Sequence, residues 1–216
     1  MRSSTSVRVL KVTEWSPGTL LVRLERLPDS VRAGQCFSLG IPGFGINREY
    51  SLFSDPNADY FEFLVRVVED GSLTPNLRKL REGDLIEVNG PFGEFLKDVK
   101  PCSGKRILFV ATGTGIAPFH SLLLSGTVGD YLLIHGVRSV SEKYGYLDYE
   151  KEKYMVCVSG DSSTKYNRVT EALKEVPLVG TEGVFICGNR LMIVDSYNIL
   201  SERGISASDI STEVFF

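Results

Sequence analysis

Along the first hundred residues, apolar and polar positions alternate in short runs. Residues 7–13 and 19–25 do so on either side of Ser16-Pro17-Gly18, a turn signal between two strand-like segments. Residues 35–41, 49–53, 60–68 and 84–89 add four further strand candidates, and 73–80 is the one helical interruption. Short strands punctuated by turns predict a closed antiparallel β-barrel. The pattern changes across residues 97–105, where Pro101 and Gly104 sit among polar residues. Beyond it, continuous apolar runs at 107–111, 131–135, 155–158 and 184–187 alternate with helical stretches, as buried strands of a doubly wound parallel sheet do. The chain therefore reads as two domains, an antiparallel β-barrel over residues 1–100 and an α/β domain over 101–216.

Composition narrows the class. The 216 residues are 43% hydrophobic and 24% charged, ordinary for a soluble globular protein and enough for two small cores. Net charge is −3; split near residue 104, the halves carry 13 basic against 14 acidic residues and 11 against 13. Neither half is polarised, which argues against nucleic acid or an anionic membrane as a partner. No apolar run reaches the roughly 20 residues that span a bilayer, and residues 1–6 lack the apolar stretch of a secretory signal. A cytoplasmic location is expected. Cys36, Cys102, Cys157 and Cys187 show no C-x-x-C spacing, and the chain has 2 histidines. Both facts predict a reduced protein without a zinc, iron–sulfur or other metal site.

Candidate chemistry concentrates first in Arg48-Glu49-Tyr50-Ser51-Leu52. Strand alternation sends Arg48 and Tyr50 to one side, where a guanidinium can fork onto a pyrophosphate and a ring can offer its face to a planar heterocycle. Downstream, Asp70-Gly71-Ser72-Leu73-Thr74-Pro75-Asn76-Leu77 supplies a glycine that lets backbone approach a phosphate. Thr74 and neighbouring N–H groups open the expected helix there.

In the second half, Arg106-Ile107-Leu108-Phe109-Val110-Ala111 runs into Thr112-Gly113-Thr114-Gly115-Ile116-Ala117-Pro118. A strand ending in a glycine-rich turn before a helix is where an open α/β sheet binds a dinucleotide, although a tight turn alone would read the same, and Pro118 replaces the usual third glycine. Ile186-Cys187-Gly188-Asn189 closes another apolar strand ahead of a helix that contains Met192. Cys187 reads either as part of that ligand edge or as a small buried hydrophobe. The chain ends Glu213-Val214-Phe215-Phe216, two aromatics that would be odd in water, so they dock as core filler or as a lid over a planar cofactor.

Taken in order, these segments resemble the ferredoxin–NADP(+) reductase family, most closely its shorter bacterial ferredoxin/flavodoxin branch, over nearly the whole chain. Arg48-x-Tyr50-Ser51 is similar to the flavin signature R-x-Y-S, and Asp70 to Leu77 with Gly83-Asp84 to the segment that grips the FAD pyrophosphate. Residues 111–119 are similar to the nicotinamide-nucleotide loop, Cys187-Gly188-x-x-x-Met192 to C-G-x-x-x-M, and Glu213-x-Phe215-Phe216 to the acidic–aromatic tail.

The resemblance implies two cofactors, FAD and NADPH. Arg48, with Leu52, Gly71, Leu73 and Thr74, would hold the FAD; Tyr50 would stack on one face of the isoalloxazine and Phe215 on the other, with Phe216 near the adenine. Ser51, Cys187, Glu213 and Phe215 would surround the reacting atoms. Thr112, Gly113, Thr114, Gly115, Gly188 and Met192 would receive the nicotinamide nucleotide. The relatives that prefer NADPH carry an arginine directly after a Ser or Thr, where this chain has Ser159-Gly160-Asp161. A carboxylate there favours a free ribose 2′-hydroxyl. Arg138 and Arg168 align with two other family arginines and read either as phosphate ligands or as surface charges, which keeps NADH open. His135 and His120 read as structural residues.

The implied activity moves electrons between NAD(P)H and a small one-electron carrier, ferredoxin or flavodoxin. With no cysteine cluster in the chain, that carrier is a separate partner, for which Arg78, Lys79, Arg81, Lys97 and Lys100 are candidate docking cations. The alternatives are the reductase component of an oxygenase, a free-flavin reductase using NADH, or a non-catalytic electron-transfer subunit. A monomer is expected.

Overall fold

The alternating first half folds into β1 (Thr5–Ser16), β2 (Thr19–Glu25), β3 (Cys36–Gly40), β4 (Asn47–Ser51) and β5 (Tyr60–Arg66), then one helical turn, α1 (Thr74–Leu77), and β6 (Leu85–Phe92). The structure is a computed structural model that describes residues 5–99, 104–161 and 164–215. The six strands form one antiparallel sheet in the order β4-β3-β6-β1-β2-β5. Alternate residues point inward, so Val7, Val9, Leu20, Val22, Leu24, Phe37, Leu39, Phe61, Phe63, Val65, Ile86 and Val88 make one core. Each such side chain contributes on the order of 1.5–3 kcal/mol when fully buried.

The barrel expected to be closed is an open one. Among the described residues, the edge strands β4 and β5 share no ladder; they meet through the bridge Leu52↔Phe63 and the Phe53 N–H donating to the Glu62 carbonyl over 2.8 Å. The reason lies in β4 itself. Asn47, Arg48 and Glu49 are exposed, and only the segment from Ser51 onward is buried enough to reach β5.

The second half contains β7 (Arg106–Thr112), α2 (Ala117–Leu124), β8 (Tyr131–Val137), β9 (Tyr154–Val158), α3 (Val169–Glu175), β10 (Thr181–Gly188), α4 (Arg190–Glu202) and β11 (Ile210–Val214). Its strands make a parallel sheet in the order β11-β10-β7-β8-β9. The expected strands are all present. β11 is an addition, for the segment read as a docked tail is an edge strand paired in parallel with β10. From β7 the chain winds outward to β8 and β9, then returns to the other side of β7 for β10 and β11. The reversal falls between β7 and β10, and a crevice at such a point is where open α/β sheets take ligands. On one face, α3 and α4 pack Val169, Ala172, Leu173, Ile193 and Leu200 against Leu108, Val110, Ile134, Val184 and Ile186.

The chain divides into two compact units, Met1–Leu96 with Ala117–Ser125, and Lys97–Ile116 with Gly126–Phe216. The division therefore crosses the chain three times, and α2 belongs to the first unit. There Ala117 to Leu122 are all buried, and Phe119 packs against Phe95 with ring centroids 5.8 Å apart. Among the described residues no helix is long and apolar enough to cross a membrane.

Candidate functional site

In the α/β unit, β7 is a buried run of Ile107, Leu108, Phe109, Val110 and Ala111 that delivers a glycine turn to the carboxyl edge of the sheet. Gly113 there has φ +53°, with open space where a side chain would begin. Gly115 faces the opposite constraint: a Cβ on it would lie 2.6 Å from the Cys187 carbonyl oxygen. Gly188, at φ +148°, would place a Cβ 2.1 Å from Thr112 Oγ1. Only glycine lets the ends of β7 and β10 approach this closely. Asn189 completes the closure. Its Oδ1 caps α4 by accepting the Met192 N–H over 2.9 Å, and its backbone N–H and Nδ2 both lie 3.4 Å from Thr112 Oγ1. Bare backbone at the switch point of the sheet is what a dinucleotide pyrophosphate requires, so these residues fit such a ligand.

Beside this closure, Cys187 and Glu213 are register partners on β10 and β11, and the Phe215 N–H donates to the Gly188 carbonyl over 2.8 Å. Burial pushes the Cys187 thiol well above its ordinary range, and the Glu213 carboxylate adds to the rise. Cys187 is therefore a neutral thiol at physiological pH, a soft contact rather than a thiolate nucleophile. Met192 is buried, and its Sδ accepts from Ser196 Oγ at 3.4 Å. Phe216, assigned above to the adenine, lies outside the described residues, as do Lys100 and Cys102.

The ends of β8 and β9 carry the residues expected around the ribose. Val137 and Val158 are register partners, and the Ser159 N–H donates to the Val137 carbonyl over 2.9 Å, so Arg138 and Ser159 leave the sheet at the same edge. Gly160 turns the chain at φ +78°, and Asp161 follows, half-buried. Arg168 is exposed at the start of α3, where Glu171 reaches back to the N–H groups of Asn167 and Arg168 over 2.9 and 3.4 Å.

In the barrel unit, β4 pairs with β3 so that Arg48 opposes Leu39, Tyr50 opposes Phe37 and Ser51 opposes Cys36. Arg48 is exposed, with Nη1 on the Asn47 carbonyl at 2.8 Å. Burial pushes the Tyr50 phenol up to about 12, partly offset by the Arg48 charge beside it. A neutral ring and a cation thus share one side of β4, the arrangement a flavin with its pyrophosphate would need. Ser51 is buried. Leu52 and Leu73 are core side chains, and the Leu52 N–H is held by the Gln35 carbonyl at 3.0 Å. Thr74 is turned inward: its Oγ1 accepts from the Val68 N–H at 2.9 Å and faces the Val68 carbonyl at 3.3 Å, so it closes the loop that carries Gly71.

Residues 7–96 match the family model of the oxidoreductase FAD-binding domain. Over 93% of its length the chain is 30% identical to a ferredoxin–NADP reductase of Azotobacter vinelandii, of which it covers 90%. The chain belongs to the ferredoxin–NADP reductase family. It is an FAD-dependent oxidoreductase. A ferredoxin NADP+ reductase from Neisseria gonorrhoeae, solved with bound FAD and NADP, shares the fold across the whole of both chains (TM-score 0.87, 24% identity). A cytochrome P450 reductase from Amycolatopsis is also similar, at TM-score 0.84 and 26% identity, over all of this chain and 71% of that one.

Within this family reading, the sequence picked out the two glycine turns but not how they lock together, nor the part played by Asn189 and His135. His135, which the sequence marks as a structural residue, is fully buried in β8, with Nε2 2.9 Å from the Gly113 carbonyl and Nδ1 3.0 Å from the Tyr154 hydroxyl. The signal available was a polar residue inside an otherwise apolar strand.

Proposed function

We propose that this reductase accepts a hydride from NAD(P)H on its FAD and passes the electrons singly to a separate carrier, ferredoxin or flavodoxin. The bound FAD supplies the conversion between two-electron and one-electron chemistry; the protein supplies position and shielding. Arg48 and the Gly71 loop hold the FAD pyrophosphate, and Tyr50 covers one face of the ring system. Phe215 covers the other and yields to the nicotinamide, a displacement within reach of binding energy because a stacked aromatic contributes only about 0.5–1.5 kcal/mol beyond burial. Ser51, Cys187 and Glu213 line the transfer region, and Cys187 does so uncharged.

The observation that carries this reading is the mutual closure of Gly115 on Cys187 and of Gly188 on Thr112 at the switch point of the parallel sheet. NADPH is the proposed nucleotide, bound through Arg138, Ser159 and Arg168, with the Asp161 carboxylate opposing its 2′-phosphate. The carrier docks on cations of which Arg78 is partly neutralised, being paired with Glu69 at 3.0 Å and Glu14 at 3.5 Å. The protein acts as a cytoplasmic monomer.

A second reading, the NADH-using reductase component of an oxygenase, is favoured by Asp161 and by the likeness to a P450 reductase. Stopped-flow reduction of the bound FAD by NADPH and NADH separately, followed by mixing with ferredoxin or flavodoxin, decides between them. Fast NADPH reduction and fast carrier reduction support the first; NADH preference with slow transfer to both carriers supports the second. A colourless protein that takes up no FAD contradicts both.

A further inference from the structure

We propose that His135 is a positioning residue for the nicotinamide nucleotide: its Nε2–H grips the Gly113 carbonyl and thereby sets the orientation of the turn that receives the pyrophosphate. The inference rests on the nucleotide site just proposed and adds a residue to it from inside the sheet.

The chemistry of the contacts assigns the protons. A carbonyl oxygen only accepts, so the nitrogen 2.9 Å from Gly113 O carries a hydrogen. Burial pushes the His135 pKa down to about 4, so the ring is neutral at physiological pH and Nδ1 keeps its lone pair. The Tyr154 hydroxyl, itself held protonated by burial, then donates to Nδ1 over 3.0 Å. The result is a directed chain from Tyr154 on β9, through His135 on β8, to the Gly113 carbonyl after β7. The other titratable groups about the ring are Tyr144, with ring centroids 6.1 Å apart, and Glu142, which accepts the Arg138 N–H over 3.0 Å.

The consequence for the turn follows from peptide geometry. The Gly113 carbonyl and the Thr114 N–H belong to one planar trans peptide and point in opposite directions. Holding the oxygen inward on His135 turns the Thr114 N–H away from the buried ring, the direction from which a phosphate would come. Gly113, at φ +53° with open space where a Cβ would stand, has more conformational freedom than any other residue type would have there. Without the histidine, nucleotide binding itself would have to order this peptide, and that entropy would appear as lost affinity.

The test compares His135→Leu with His135→Gln, whose amide retains a donor for the Gly113 carbonyl. In anaerobic stopped-flow, His135→Leu should raise the NADPH dissociation constant at least ~10-fold, with FAD content and the limiting rate of FAD reduction within about 2-fold of wild type. His135→Gln should recover most of that affinity. Leu and Gln variants that are equally impaired, or a Leu variant of wild-type affinity, would overturn the proposal. Should the Leu variant not fold, ¹⁵N NMR of the wild-type imidazole supplies an independent measure. A neutral Nε2–H tautomer between pH 5 and 8 supports the assignment; an imidazolium or Nδ1–H tautomer at pH 7 overturns it. Failure of the reductase reading shows differently, as wild-type FAD that neither nucleotide reduces.

Discussion

His120 lies flat on Phe53, with ring centroids 3.8 Å apart and planes 9° from parallel, and its Nδ1–H donates to the Phe53 carbonyl over 2.7 Å. The two residues are 67 positions apart in sequence. This contact helps explain why α2, which follows the glycine turn of the α/β unit along the chain, is packed in the barrel unit. His120→Ala removes a stacked ring and a buried bond together. The expected loss is about 2–3 kcal/mol in urea-induced unfolding. Val179→Ser, at a residue 93% exposed, should change nothing measurable and serves as the comparison.

The two glycines of the first turn should respond in opposite ways to alanine. Gly113→Ala meets open space and carries only the cost of a positive φ, about 1 kcal/mol. Gly115→Ala drives a methyl into the Cys187 carbonyl and separates β7 from β10. Thermal melts together with NADPH affinity should show a mild effect for the first and a collapse of nucleotide binding for the second.

Folding stability should fall with acidification through a window set by His135. Its pKa drops from the ordinary 6.5 to about 4 on folding. Above pH 6.5 the ring is neutral whether folded or not, and the full stability is present. Between 6.5 and 4 the unfolded chain takes up a proton that the folded one excludes, which removes up to roughly 3 kcal/mol. Urea unfolding of wild type and His135→Gln across pH 4–8 should show this portion of the slope only in the wild type.

In the proposed nucleotide site, Asp161 faces the ribose, where a charge would decide between hydroxyl and phosphate. Asp161→Arg should raise the ratio of NADPH to NADH kcat/KM by at least ~10-fold, since it replaces repulsion of the phosphate by a fork that binds it. An unchanged ratio would remove Asp161 from the ribose.

Deleting Phe215 and Phe216 should leave the fold intact, because the β10–β11 ladder runs over residues up to Val214. Nicotinamide affinity should tighten and the visible spectrum of the flavin should shift, as one face of the ring loses its aromatic cover. A truncated protein unchanged in both would refute the gating role of Phe215.

The period-2 alternation of residues 7–13 and 19–25 and the solid apolar runs at 107–111 and 184–187 declared a barrel followed by a parallel sheet, because periodicity is a local property that a strand inherits directly. The motif residues Arg48, Tyr50, Gly113, Gly115 and Gly188 were visible for the same reason: their types and spacing are read along the chain. What folding alone decided are relations between distant segments. The barrel stops short of closure because β4 carries its polar residues outward. The tail becomes a strand because residues 210–214 pair in parallel along the whole carboxyl half of β10. Thr74 Oγ1 bonds the Val68 backbone across its loop, and His135 reaches Gly113 across 22 positions. Such contacts depend on which strands become neighbours and in what register, and register is settled by the summed packing of whole elements rather than by the residues that happen to meet.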